Sequence, residues 1–269
     1  MKKISLIFLV FLFLVPSLIL PIYATTNEIS VEDMKAELVS QGLFEGYVNS
    51  MMDTQVVELY NDIQAGNREI IFIEENAEID CLRSTTETFA LINEDNFSLS
   101  IALIPYYNNS NKITKIQSVV VWQWYDAEPA GRRDDLVHLC WDSDRLTLDT
   151  SDFSSGDFYT KHSGTYVEYN QSSSPAKATT SDMVVYSNVY SGFGVDRGGW
   201  CIFDFLPASP MYKGTNYTTS LVATYYHNKS MVPGINNFTY SVLDTGIRVN
   251  FNDLFTDTLS TSGILKYSR

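Results

Sequence analysis

Basic charge, histidine and cysteine are all scarce in this chain, and each scarcity closes off some chemistry. Lys and Arg number 18 against 32 Asp and Glu, a formal charge of −14. So acidic a surface repels nucleic acid and anionic lipid, which excludes a nucleic-acid-binding role. The histidines are His138, His162 and His227. They form no His-x-x-x-His pair, and no Gly-x-Ser-x-Gly elbow accompanies them. The usual signatures of metal-assisted hydrolysis and of an activated serine are therefore missing. The cysteines, Cys81, Cys140 and Cys201, show no Cys-x-x-Cys spacing, so zinc binding and dithiol redox chemistry have no support. An odd count leaves at most one internal bridge in an exported chain. A Cys140–Cys201 bridge competes with two buried thiols, and a chain long enough to bury a core without staples favours the thiols. No repeat of fixed period is present, and no strands alternate with long helices, which argues against α/β folds.

Long apolar runs are also missing, except at the start. Met1-Lys2-Lys3 precedes an apolar stretch from Ile4 to Leu20, and Ala24 follows. A basic head, an apolar middle and a small residue make a secretory signal peptide, with Ile22 and Ala24 in the positions the peptidase reads. As a membrane span the run is short of about 20 residues, and Pro16 and Pro21 interrupt it. No cysteine ends it, which argues against a lipoprotein. Residues 1–24 are thus expected to be removed, leaving a secreted, extracellular protein that meets the membrane only through its leader. The Met-Lys-Lys head points to a bacterium. Asn-x-Ser/Thr sequons at Asn96, Asn108, Asn170, Asn216, Asn228 and Asn237 reflect an Asn/Ser/Thr-rich composition and would stay bare in such a host.

What is present is periodicity. Residues 25–67 read as a small three-helix module. Ser30 caps a first helix whose face carries Val31, Met34, Leu38 and Val39, and Gly42 ends it. Phe44–Met52 forms a second turn of helix. Asp53 caps a third, with Val56, Val57, Tyr60 and Ile63 in a stripe stopped by Gly66-Asn67. A helical cap or spacer suits such stripes better than a peptide-recognition unit.

From about Glu69 the period drops to two, and residues 68–269 read as one antiparallel β-sandwich, jelly-roll-like, with an open barrel as the second choice. Phe97, Leu99, Ile101 and Leu103 alternate with small and polar residues. In Lys115–Tyr125 both sides are apolar, with Val119, Val121 and Tyr125 on one and Val120, Trp122 and Trp124 on the other. A strand of that kind is central and covered twice. Ser155-Gly156-Asp157, Gly198-Gly199 and Pro233-Gly234 read as turns.

Candidate sites are few, and no catalytic residue stands out. Asp142, Asp144 and Asp149, with Asp152 and Asp157, offer oxygens for loosely bound calcium. An EF-hand starting at Asp142 fails, however, because Thr147 takes the position that needs glycine. Solvated turn carboxylates explain the cluster better. His138 and Cys140 point the same way from one strand, but i, i+2 neighbours rarely meet as a thiolate–imidazolium pair. Trp122, Trp124 and Trp141, with Arg132 and Arg133 on the exposed loop Glu128–Asp135, form the candidate ligand-binding set. Aromatics stack on sugars and anchor interfaces, yet Trp122 and Trp124 sit among valines, which favours the core.

The resulting expectation is a secreted, non-enzymatic binding protein that contacts an extracellular carbohydrate or protein through strand-connecting loops, with no cofactor. One rival is an exported hydrolase of cell-wall or polysaccharide material, with two carboxylates in a cleft. Another is a β-rich membrane-active toxin using Phe158–Ser174. The first expectation is open to direct measurement: Edman or mass-spectrometric analysis of exported material should find Thr25 at the amino terminus. Intact chain beginning at Met1 in the membrane fraction would overturn it.

Overall fold

Three short helices lie in the computed structural model at α1 Val31–Ser40, α2 Glu45–Ser50 and α3 Asp53–Gln64. The structure describes residues 29–72, 90–91, 97–124, 135–160, 166–171, 177–178, 182–187, 196–215, 217–228, 238–243, 246–251 and 256–267. The leader, Cys81, Arg132, Arg133 and His162 fall outside them. Among the described residues no helix is long and apolar enough to cross a membrane.

Glycine ends two of the helices in the way their sequences require. Gly42 takes φ 99°. Its N–H donates to the Val39 carbonyl while Leu43 N–H donates to Leu38, at 2.7 and 3.0 Å. Gly66 at φ 75° repeats the pattern, with Asn67 N–H reaching the Asp62 carbonyl at 2.8 Å. A side chain on Cβ would disfavour either conformation. Asp53 does not cap α3. Met52 holds that position, its N–H donating to Gln55 Oε1 at 2.9 Å, and Asp53 opens the helix. The buried stripe of α3 is Val56 and Leu59 with Ile63 beside them, while Val57 and Tyr60 are half-buried.

The strands that follow are β1 Ile71–Phe72, β2 Ala90–Leu91, β3 Phe97–Tyr107, β4 Ile113–Trp124, β5 Asp135–Trp141, β6 Leu146–Thr160 and β7 Tyr166–Gln171. Then come β8 Lys177–Ala178, β9 Asp182–Ser187, β10 Asp196–Pro207, β11 Tyr217–Asn228, β12 Phe238–Leu243, β13 Gly246–Phe251 and β14 Thr256–Tyr267. They build a six-stranded sheet in the order β1-β3-β4-β10-β6-β7, a second six-stranded sheet in the order β2-β14-β11-β5-β9-β8, and a β12-β13 hairpin. The pairing is antiparallel apart from β2 with β14. The fold is thus mainly β, two packed antiparallel sheets preceded by three helices, and not a closed barrel. Helices and sheets belong to one compact unit, Val31–Arg269.

The central strands β3, β4 and β10 of the first sheet are buried on both faces. Its inner face sends Phe97, Leu99, Ile101, Val120, Trp122, Trp124, Cys201, Phe203 and Phe205 against Val137, Leu139, Trp141, Leu221, Ala223 and Tyr225 of the second sheet. Its outer face sends Ala102, Ile104, Val119, Val121 and Trp200 against Leu38, Leu43, Tyr47, Val48, Val56 and Leu59 of the helical layer. Strand β4 therefore faces apolar neighbours on either side, as its double pattern predicts. Aromatic contacts tie the sheets together. Phe97 packs 4.6 Å from both Trp124 and Tyr225, and Trp124 Nε1 donates to Tyr225 Oη at 3.3 Å.

Two expected turns lie inside strands. Ser155-Gly156-Asp157 belongs to β6 and Gly198-Gly199 to β10, where Gly199 pairs with Asp157 and Trp200 with Gly156. The register of β6 shifts twice, against β10 between Phe203 and Asp204 and against β7 between Asp157 and Phe158, next to the expected turn. Phe238–Leu243 and Gly246–Phe251 pair with each other as a hairpin.

Phe203, 1% exposed between the sheets, tests this core. Phe203→Ala should lower the unfolding free energy by about 3–5 kcal/mol, whereas Glu37→Ala on the solvent side of α1 should stay within about 0.5 kcal/mol. Equal urea midpoints for the two variants would contradict the packing.

Candidate functional site

A concavity on the described surface arises where two neighbouring strands part. Strands β4 and β10 pair from Arg197 with Trp124 down to Phe205 with Ile116, and there the ladder stops. On their other edges both continue, β10 with β6 to Pro207 opposite Leu146 and β4 with β3 to Ile113 opposite Tyr107. Two features coincide there, a register shift in the β3–β4 ladder that skips Thr114 and a proline in β10. Ala208 N–H turns to the Arg145 carbonyl on the β6 side at 2.8 Å. Strand donors alternate in direction, so Pro207 is the residue that faces β4, and proline has no N–H to give. The strands diverge, and the chain returns past Pro210 to rejoin the β3–β4 hairpin. Ile113 N–H donates to Met211 and Lys213 N–H to Asn111, both at 2.8 Å, and Lys112 bridges to Tyr212.

The gap encloses about 410 Å³, lined by Asn108 and Lys112–Thr114 from one side and Leu206–Pro210 from the other. Leu206 is 43% exposed, and Tyr212, which bridges to Lys112, is 40% exposed. The walls are well held. Asn108 Oδ1 accepts from Ser110 N–H at 2.9 Å and from Lys112 N–H at 3.0 Å, and Asn111 takes φ 57° at the hairpin tip. Thr114 Oγ1 donates to the Tyr106 carbonyl at 3.2 Å. The lining holds one ionisable group, Lys112, and neither carboxylate nor histidine nor cysteine.

Farther along the outer face of the same sheet lies a cluster of charge. The Asp204 side chain, 2% exposed, accepts from Lys115 Nζ at 2.6 Å and from Gln117 Nε2 at 3.3 Å. Lys115 and Arg68 both rest on the Tyr106 ring, 4.4 and 4.1 Å from its centre. Arg68 also pairs with Glu58 and Asp62 of α3, at 2.7 and 2.8 Å. This network matches each buried charge with an opposite one and joins helix to sheet. Burial, reinforced by Tyr106 and Asp204, pushes the Tyr47 phenol far above its ordinary value against the pull of Arg68. Burial likewise raises Tyr106, against Arg68 and Lys115.

The residues singled out from sequence are dispersed. Trp122, Trp124 and Trp141 are 3, 9 and 4% exposed and fill the space between the sheets, so their faces offer no platform to a sugar. Arg132 and Arg133 lie outside the described residues. Asp142 Oδ1 accepts from Asp144 N–H at 3.1 Å, a turn-capping role, and Asp149 lies on β6. Among the described residues no group of three or more His, Cys, Asp or Glu side chains is arranged to hold a metal. Cys140 and Cys201 remain thiols. Cys201 lies in the inter-sheet core, while Cys140 alternates with the inward Leu139 and Trp141 and so faces away from it. Burial raises the Cys201 thiol well above its ordinary range. His138 and Cys140 do approach, with Nε2 3.9 Å from Sγ, closer than i, i+2 spacing alone suggests. Both are buried, at 7 and 2%.

No family model matches this sequence, and no curated protein does. Some solved structures share part of its arrangement. The collagen-binding domain of a Staphylococcus aureus adhesin is 10% identical, at a TM-score of 0.28, over 55% of this chain and 87% of that one. A structure from Streptococcus parasanguinis Fap1 fimbriae is 11% identical, at a TM-score of 0.31, over 74% and 94%. AvmM, which catalyses macrocyclization in alchivemycin A biosynthesis, is 11% identical, at a TM-score of 0.28, over 68% and 97%. Likenesses this distant, to adhesion proteins and to an enzyme alike, carry no functional argument.

The tyrosines at the helix–sheet boundary make a pH dependence testable. Unfolded tyrosine ionises near 10.0, and both folded values lie higher. Their contribution to stability is therefore complete below pH 10 and is lost as pH rises toward the folded values. Urea midpoints should fall between pH 9 and 11, and Tyr47→Phe should flatten that fall. An unchanged slope in the variant would count against the assignment.

Proposed function

We propose that this chain is an exported, non-enzymatic binding protein that engages an extracellular partner through the recess between β4 and β10. The observation that carries the reading is the recess itself: a concave, partly apolar surface at the loop end of a rigid sandwich. Recognition is commonly grafted onto loops of this kind. Export rests on the signal-peptide pattern of residues 1–24, and an acidic, neutral-polar exterior suits that compartment.

The hydrolase reading asks for two carboxylates, or a histidine-centred pair, converging in a cleft. The lining of this recess has neither. The deeply buried carboxylate of Asp204 is engaged by Lys115 and Gln117, which suits structure better than proton transfer. Of the segment Phe158–Ser174 considered for membrane insertion, the described residues pair within the first sheet, β6 with β7 from Thr160 with Tyr166 to Phe158 with Glu168.

Arrays of glycans and extracellular-matrix proteins, probed with the processed chain, supply the test. Leu206→Asp alters an exposed side chain and should leave the fold intact by circular dichroism. It should weaken any retained ligand by roughly tenfold or more, the effect expected of a central interface residue. Ligands held equally by the variant would move the binding surface elsewhere, and turnover of an arrayed polysaccharide would reinstate the hydrolase.

A further inference from the structure

We infer that His138 and Cys140 form a binding site for monovalent copper, held between the imidazole Nε2 and the thiolate Sγ on the outer face of the second sheet. The inference is independent of the recess between β4 and β10.

Strand alternation brings the two side chains to this face. Val137, Leu139 and Trp141 of β5 point into the inter-sheet core, so His138 and Cys140 point the other way. Nε2 lies 3.9 Å from Sγ, and both residues are buried, at 7 and 2%. On β11, Thr224 stands opposite His138 and Val222 opposite Cys140, each 3% exposed. A nitrogen donor and a sulfur donor thus face each other in a setting shielded from water.

Their separation suits an ion of low coordination number. Bonds of about 2.0 Å to imidazole and about 2.3 Å to thiolate, meeting across 3.9 Å, enclose an angle of about 130°. A tetrahedral ion would draw the two atoms in to about 3.5 Å. Zinc also asks for three or four protein ligands, and no such group occurs among the described residues. Monovalent copper is satisfied by two or three, and soft thiolate is the donor that selects it. Charge favours the same ion, because a buried charge is costly unless matched. Copper(I), one thiolate and a neutral imidazole sum to zero. On loading, the Cys140 S–H bond breaks, its proton passes to solvent and a sulfur–copper bond forms, with the oxidation state of copper unchanged. Nε2 supplies its lone pair, so His138 carries its proton on Nδ1. A formal charge of −14 on the chain concentrates cations at its surface rather than repelling them.

Anaerobic titration of the reduced, folded chain with copper(I), against a chromophoric copper(I) chelator, provides the test. In a Cys81→Ser background one equivalent should bind, since Cys201 is enclosed in the inter-sheet core. Cys140→Ser should abolish that equivalent, and His138→Gln should weaken it by roughly 10–100-fold or more. X-ray absorption of the loaded, unsubstituted chain should show sulfur and nitrogen neighbours at copper, a readout that no variant's folding can confound. Asp182, opposite Cys140 on β9, distinguishes copper from a harder ion: Asp182→Asn should change copper affinity by no more than about twofold. A folded chain that takes no copper, or that keeps its equivalent in Cys140→Ser, would overturn the inference. So would copper uptake that begins only once urea unfolds the chain, or a preference for zinc that Asp182→Asn removes.

Discussion

The structure depends on one sheet having no face to spare for water. Strand β4 places Val120, Trp122 and Trp124 toward the second sheet and Val119 and Val121 toward the helices. Neither cover is dispensable under that arrangement. Helices as short as α1 and α2 are marginal alone, and the outer face of the sheet would expose Ala102, Ile104 and Trp200 without them. Each layer supplies the apolar surface that the other lacks, which is why helices and strands form one compact unit.

Polar chemistry at the helix–sheet boundary follows from the same arrangement. Asp204 lies on a strand face closed off by its surroundings, so its charge persists because Lys115 and Gln117 reach it. Arg68 leaves α3 with two acidic partners and settles on Tyr106. Such networks add little net stability over an apolar equivalent, but their geometry is demanding. We read this one as fixing the angle at which the helical layer meets the sheet.

Much of this was legible in the amino-acid order. The double-sided pattern of β4 and the glycine stops at Gly42 and Gly66 each express a local rule, and each local rule holds. Leu59 escaped notice because Val57 and Tyr60 compete for the same stripe, and only the direction of the neighbouring sheet decides between them. Gly156 and Gly199 signal turns by composition. In the fold they lie in adjoining strands, where Gly156 pairs with Trp200 and Gly199 with Asp157. The recess was harder to see. Leu206-Pro207-Ala208-Ser209-Pro210 announces a break in structure, but nothing local says that the missing partner is β4, about ninety residues earlier in the chain. The tryptophans suggested a ligand surface by type and a core by context, and context decided their place.

Pro207 has one consequence that reaches beyond its own position. The outline of the recess follows the backbone, from an amide hydrogen that proline does not possess and from the register shift beside Thr114, more than the side chains around it. Related sequences could therefore exchange the residues at 108, 112, 206 and 209 while the hollow kept its contour, much as a mould outlasts whatever is cast in it. Variation in what such a pocket grips would then leave the architecture untouched, and the imino acid would be the feature to look for when tracing the lineage.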